Sequence, residues 1–209
     1  MNKNEANCLL CSQPLHLKAS WKTLLTKQFP PSICEKCNAR FERNTSPEST
    51  ALYRYNDAMK DFLHQYKFLQ DVALAKVFRQ ELYTLFKNET ATIIPIPMHP
   101  EKQKERTFAH MDELLKAAKI PFFQLLEKTT TETQSTKTRE ERLKTAPFFK
   151  LKSDVTVENK EYLLFDDIKT TGTTLQHAQT ILENAGAQNV RICTLISGRI
   201  CKTIMYNYG

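Results

Sequence analysis

Nowhere in these 209 residues is there a run approaching the ~18 consecutive apolar residues that cross a bilayer, so no membrane span is expected. The opening Met1-Asn2-Lys3-Asn4-Glu5 lacks the apolar core of a secretory leader, which makes a cytoplasmic setting the expectation. No segment repeats, and the chain carries a single tryptophan, Trp21. What remains is an ordinary soluble composition, 41% hydrophobic and 25% charged, with room for one domain plus a small module. Lysine and arginine outnumber acidic residues 30 to 23, for a net charge of +7. That excess favours polyanionic partners only mildly, because the charges are interspersed. Nonspecific DNA binding by such a surface falls at about 10⁻⁴ to 10⁻⁶ M and weakens steeply with salt.

Four of the six cysteines are crowded into two pairs, Cys8-Leu9-Leu10-Cys11 and Cys34-Glu35-Lys36-Cys37. Two Cys-x-x-Cys knuckles separated by 22 residues suit a tetrahedral Cys₄ zinc site. A disulfide reading needs an oxidising compartment, for which the sequence gives no sign. Four sulfur ligands leave no open coordination position, so this zinc is structural and its binding is coupled to folding. Trp21, Leu24, Leu25 and Phe29 then read as a packing cluster over the metal, with Trp21 alternatively a stacking platform for a base. The polar stretch Arg43 to Thr50 reads as a linker, which divides the chain into a Cys₄ module at 1–48 and a second domain at 49–209.

The second domain is organised around Tyr162-Leu163-Leu164-Phe165-Asp166-Asp167-Ile168-Lys169-Thr170-Thr171-Gly172-Thr173-Thr174-Leu175. Four apolar residues bounded by turn chemistry predict a buried parallel strand. Leu175, Ala178, Ile181, Leu182 and Ala185 predict a following helix, with Gly186 placed to end it. The loop between them can aim backbone N–H groups at an anion from a helix N-terminus, and Gly172 permits close approach. Asp166 and Asp167, at the strand's carboxyl end, can accept from sugar hydroxyls or hold Mg²⁺ through water. Together they form a grip for a sugar 5-phosphate; a ligand-free turn is the plain alternative.

The rest of the domain alternates between the two periodicities. Tyr53 to Asp57 opens a helical pattern with Asp57 as its N-cap, and Ala58, Phe62, Leu63, Tyr66 and Leu69 share a face. Lys60, Tyr66, Lys67 and Phe68 read as core aromatics beside a solvated basic edge. A second helix uses Leu74, Val77, Phe78, Leu82 and Leu85. Thr92-Ile93-Ile94 is a short strand entering the stiff loop Pro95-Ile96-Pro97-Met98-His99-Pro100. Another helix runs through Phe108, Met111, Leu114, Leu115 and Ala118. Phe122 to Leu126 suggests a strand, Lys128 to Thr138 a polar loop over the site, Phe148 to Leu151 a strand and Asn189 to Ser197 the last strand. Cys193 is a core residue, and Cys201 has no assigned place. Strands alternating with helices imply an α/β fold with a parallel sheet covered on both faces.

The Asp166 to Thr174 run resembles the phosphoribosyl pyrophosphate (PRPP) signature of type I phosphoribosyltransferases. Joined to the cysteine pairs, Tyr55-Asn56-Asp57, Ile94 to His99, Lys104 to Phe108, Thr131-Glu132-Thr133-Gln134, Arg139 and Arg142, it makes nearly the whole chain resemble the ComF family of competence proteins. The resemblance implies a type I phosphoribosyltransferase-like parallel sheet flanked by helices, with a small N-terminal Cys₄ zinc-binding module. It also implies handling of incoming single-stranded DNA during natural transformation, beside the ComF helicase-like translocase and other competence proteins. On this resemblance Thr170, Thr171, Gly172, Thr173 and Thr174 hold the 5-phosphate, and Asp166 and Asp167 hold the ribose hydroxyls. Pro97, Met98 and His99 lie beside the pyrophosphate of Mg²⁺–PRPP, with Arg106 and Arg139 as countercharges.

The chain departs from the family pattern where Arg-Gly-Phe-Asn-Gln becomes Arg106-Thr107-Phe108-Ala109-His110, and again at Lys137 and Thr145. Those positions bear on the second substrate more than on PRPP. Whether the site turns over is open: an active transferase acting on a base or nucleotide and a binding module with a vestigial site are both alternatives.

Overall fold

The computed structural model describes residues 6–15, 28–46, 49–129, 149–169 and 172–197. Trp21, Leu24, Leu25, Thr131 to Gln134, Lys137, Arg139, Arg142, Thr145, Thr170, Thr171 and Cys201 lie outside those residues.

The central sheet is parallel throughout. Its order is β1 (Ala51–Arg54), β6 (Asn189–Ser197), β5 (Glu161–Lys169), β2 (Thr92–Pro95). Strand periodicity sorts the side chains of β5 onto two faces. Leu163 and Phe165 join one buried cluster with Ile93, Leu195 and Phe62, while Tyr162 and Leu164 join another with Ile94, Leu175 and Leu182. Because both clusters are covered, β5 reads as an unbroken apolar run in the sequence. Its register (Ile94 opposite Leu164, Phe165 opposite Cys193) sets the acidic pair at the carboxyl ends of the two innermost strands.

On the first face lie α2 (Asp57–Lys67), a 3₁₀ turn (Val72–Lys76), α3 (Arg79–Phe86) and α5 (His110–Ala117). Between β2 and α5 the loop continues into the short α4 (Pro100–Arg106). The second face carries α6 (Thr173–Asn184) and an antiparallel ribbon of β3 (Leu126–Lys128) and β4 (Phe149–Leu151). A one-turn helix, α1 (Glu35–Asn38), belongs to the cysteine module. No helix among the described residues is long and apolar enough to cross a membrane.

Several expectations need correcting. The segment at Tyr53 and Arg54 is the edge strand β1, not the start of a helix: buried Ala51 and Tyr53 alternate with half-buried Leu52 and exposed Arg54. The helix cap is Asn56, whose side chain accepts from the Met59 N–H at 3.0 Å, and Asp57 is the first helical residue. The second helix breaks into a 3₁₀ turn and α3, leaving Leu85 exposed. Of Phe122 to Leu126 only Leu126 is in a strand, and Phe123 is 60% exposed. Pro100, read as the end of the stiff loop, instead opens a short helix through Arg106, because proline fits a first turn and His99 caps it.

The cysteine module is welded onto the larger domain. Phe41 follows the second knuckle and packs its ring on Phe78 at 5.1 Å, Tyr53 at 6.3 Å and Phe62 at 6.4 Å. Phe78 in turn meets Phe62 at 4.9 Å and Tyr53 at 5.0 Å, and is 1% exposed. Cys8, Ile33, Cys37 and Phe41 therefore share one buried cluster with the helices of the first face. Phe78→Ala should cost about 3–5 kcal/mol in urea unfolding, with the module and the domain losing structure in one transition. A loss below ~1 kcal/mol would contradict this packing.

Candidate functional site

Asp166 and Asp167 sit near the carboxyl end of β5, and the backbone of Asp167 donates to Asp166 Oδ1 at 2.9 Å. Asp167 is nearly buried and ion-paired to Lys67, the last residue of α2. His110, the first residue of α5, brings Nε2 to 3.8 Å from the other Asp167 oxygen. Its position is fixed from behind by buried Tyr66, whose hydroxyl donates to the His110 carbonyl at 2.6 Å. The Nδ1 of His110 is buried without a partner among the described residues. Lys67 is thus no part of a solvated edge, as its sequence context implied: its side chain is only 15% exposed and faces the acidic pair.

Charges at this site are unequal by construction. Burial works against ionisation of both carboxyls. For Asp167 the attraction of Lys67 and the contact with His110 win, holding it well below the usual carboxylate range. Asp166 receives the opposite push, since burial and the neighbouring Asp167 charge raise it well above that range. Burial and the charge of Lys67 also lower His110, against the pull of Asp167. The pair therefore titrates as two sites of different acidity, the first ionisation belonging to Asp167.

Around the pair the structure gathers Arg106 and Lys128, both felt electrostatically at Asp167 and both lowered by burial. Arg106 lies over the Phe68 ring at 5.5 Å. A cavity of ≈ 180 Å³ opens beside them, lined among others by Pro97, Met98, Pro100, His110, Asp112 and Lys128. His110 is common to the cavity wall and the acidic pair. Asp112, raised by burial, is bonded to Gln124, whose carbonyl oxygen accepts from Lys152 at 3.1 Å. Pro97 and Met98, from the stiff loop, thus form part of the cavity wall. His99 instead uses Nδ1 to cap α4, accepting from the Glu101 N–H at 3.2 Å.

The turn from α4 to α5 carries a strained residue. Thr107 has φ 64, the left-handed region, at the place where the family pattern has glycine. A β-branched residue pays about 1–2 kcal/mol there. Thr107→Gly should raise stability by roughly 0.5–1 kcal/mol after the entropy that glycine adds to the unfolded chain. Thermal denaturation checks this; a destabilised variant would mean that the threonine side chain holds the turn.

Past β5 the chain re-enters the described residues at Gly172, which is buried and takes φ 79 as the residue preceding α6. That left-handed step is why glycine is needed between the strand and the helix. Thr173 and Thr174 form the first turn of α6, the helix end where backbone N–H groups suit an anion. Asp166, Asp167, Gly172, Thr173, Thr174, Pro97, Met98 and Arg106 are thus placed on the loops and element ends at one edge of the sheet; Thr170, Thr171 and Arg139 are outside the described residues. Three residues near the pair were given no binding role from the sequence: Lys67, His110 and Lys128. His110 left a signal as a departure from the family pattern, and Lys128 as the start of the polar loop expected over the site, although it ends strand β3.

The other assembly is the cysteine quartet. Sγ atoms of Cys8, Cys11, Cys34 and Cys37 all lie within 4.8 Å of one another, with Cys11 and Cys34 3.7 Å apart. Four thiolates at about 2.3 Å from a tetrahedral centre stand about 3.8 Å apart, so the spacing fits a metal such as zinc. The Cys34 N–H points at Cys8 Sγ at 3.3 Å. Burial alone would raise Cys8, but N–H groups of Cys34, Leu10 and Cys11 bring it to about 6, ready as a thiolate. Burial and the surrounding sulfurs push Cys37 up, a repulsion that a dication relieves.

A parallel sheet with an acidic pair at the end of a central strand, a glycine turn and a helix start beyond it defines a phosphoribosyltransferase-like domain. The phosphoribosyl transferase domain family matches residues 105–206. The chain is 34% identical to "Competence protein ComFC" of Streptococcus pneumoniae (strain ATCC BAA-255 / R6) over 90% of its length and 99% of that protein's. It is 26% identical to "Competence protein ComFC" of Bacillus subtilis (strain 168), over 90% of this chain and 94% of that one. A hypoxanthine phosphoribosyltransferase from Staphylococcus aureus is 19% identical with TM-score 0.34, the match covering 62% of each chain. The chain belongs to the ComFC family of competence proteins, with a Cys₄ cluster joined to a phosphoribosyltransferase-like domain.

Proposed function

We propose that this protein is a DNA-uptake factor of natural transformation that binds Mg²⁺–PRPP or a related phosphosugar end while handling incoming single-stranded DNA in the cytoplasm. The observation that carries the reading is the acidic pair at the carboxyl end of β5, within electrostatic reach of Arg106 and Lys128 and followed by Gly172 and α6. Asp166 and Asp167 accept from the ribose hydroxyls. The N–H groups and hydroxyls from Thr170 to Thr174 hold the 5-phosphate. The loop from Pro97 to His99 borders the pyrophosphate, with Arg106 and Arg139 as countercharges. Mg²⁺ supplies further countercharge to the pyrophosphate, and the oxygen-rich pair suits it through water. Several charge-assisted hydrogen bonds, each about 1.5–3 kcal/mol, suffice for recognition without turnover.

Zinc in the Cys₄ centre is structural, fixing the module against α2 and α3. The 34% identity to a protein named for competence supports the DNA-uptake context. In that context the partners are single-stranded DNA, the ComF helicase-like translocase and other competence proteins. Single-strand binding measured across salt concentrations, with and without Mg²⁺–PRPP, tests both ligands and their coupling. The expected outcome is binding that weakens with salt and changes severalfold when PRPP is added. No single-strand binding at low salt would overturn the DNA part of the proposal.

A further inference from the structure

The seat proposed for the ribose hydroxyls is already taken by a side chain of the protein itself. Lys67 reaches one Asp167 oxygen from the end of α2, and both groups are withdrawn from water, with side chains 15% and 8% exposed. Asp167's other oxygen faces His110, and its backbone N–H is engaged by Asp166. A diol arriving at Asp167 must therefore share it with, or take it from, an ammonium that has little water to fall back on. A desolvated cation loses an ion-pair partner at high cost unless another anion replaces it. Among the described residues Arg106 and Lys128 are further cations that feel the charge of Asp167, so they compete with Lys67 for the carboxylate and do not relieve it.

Resting on the phosphosugar reading above, we infer that Lys67 determines specificity: it makes the site select phosphosugars that carry an anionic group next to the diol. A ligand with a pyrophosphate or phosphate at C1 gives the displaced ammonium a new partner as the hydroxyls take Asp167. A 5-phosphosugar with a neutral C1 hydroxyl offers it none. The lysine thus turns the choice between such ligands into a choice about the charge at C1, as a desolvated group left unpaired penalises the wrong ligand.

The test is calorimetry of PRPP and ribose 5-phosphate, both at one fixed Mg²⁺ concentration, on wild type, Lys67→Met and Lys67→Arg. Folding of each variant is checked by circular dichroism and thermal denaturation. Wild type and Lys67→Arg should prefer PRPP strongly. In Lys67→Met the preference should fall by about tenfold or more, equivalent to about 1.4 kcal/mol, with ribose 5-phosphate binding no worse than in wild type. An unchanged ratio in folded Lys67→Met overturns the inference while leaving the phosphosugar reading intact. A ratio lost equally in Lys67→Arg overturns it too, since the positive charge would not be the cause. Ribose 5-phosphate binding gained only in Lys67→Met supports it. No binding of either sugar by any of the three proteins overturns the phosphosugar reading and this inference together.

Discussion

Stripping the metal from the Cys₄ centre, or replacing Cys37 with serine, is expected to destabilise the whole protein and not just its first 40 or so residues. Structural zinc sites of this kind contribute on the order of 10–16 kcal/mol of apparent binding free energy at neutral pH, comparable to the ~5–15 kcal/mol that holds a domain folded. Cys8 and Cys37 are 2% and 5% exposed and belong to the same buried cluster as Phe41, Phe62 and Phe78. Losing the metal leaves four sulfurs crowded together with nothing to hold them and removes the platform beneath Phe41. A fall in melting temperature of roughly 10 °C or more should follow, together with release of about one zinc per chain to a colorimetric chelator. A chelated protein that melts unchanged would mean that the cysteines are not a structural metal centre.

The second large effect concerns the two aspartates, which should respond differently. Asp167→Asn removes the partner of nearly buried Lys67 and should cost about 3–5 kcal/mol of stability, along with ligand binding. Asp166→Asn should leave the Lys67 pair intact, yet remove a carboxylate from the diol seat and weaken Mg²⁺–PRPP by about tenfold to a hundredfold. Their pH dependences are opposite in sign. Asp167 is depressed on folding, so its contribution is present above the ordinary carboxylate range and is lost as pH falls through its lower folded value. Asp166 is raised, so its contribution is full below that range and is lost as pH rises through its higher folded value. At neutral pH, Asp166→Asn should therefore be more stable than wild type while binding less. Urea denaturation at pH 7 decides this; equal loss of stability in both variants would contradict the unequal pair.

The parts of this architecture visible in the sequence are those written in short-range patterns. Tyr162 to Phe165 announced a strand covered on both faces, and the carboxylates and Gly172 followed at a spacing that only a strand, turn and helix accommodate. The cysteine knuckles were equally plain, since metal geometry dictates the two-residue gaps. The edge strand β1 was missed because four residues carry too little periodicity, and Asn56 beside Asp57 offers two plausible caps. The short α4 was hidden by its own charge, having no buried residue to reveal a face. Lys67 could not have been assigned from local pattern: its partner lies 100 residues away, and its neighbours suggest a solvent-facing edge. Likewise His110 reads as a substituted polar residue until Tyr66 and Asp167 are seen on either side of it.

The central claim, that the cradle at the end of β5 holds a phosphosugar, is tested most directly by isothermal calorimetry. PRPP with Mg²⁺ is titrated into the zinc-replete wild-type protein and into Asp166→Asn. The expected result is saturable heat with one site per chain in wild type, at an affinity that Asp166→Asn lowers by about tenfold or more. No heat and no thermal shift at millimolar PRPP, or equal binding by the two proteins, would contradict it.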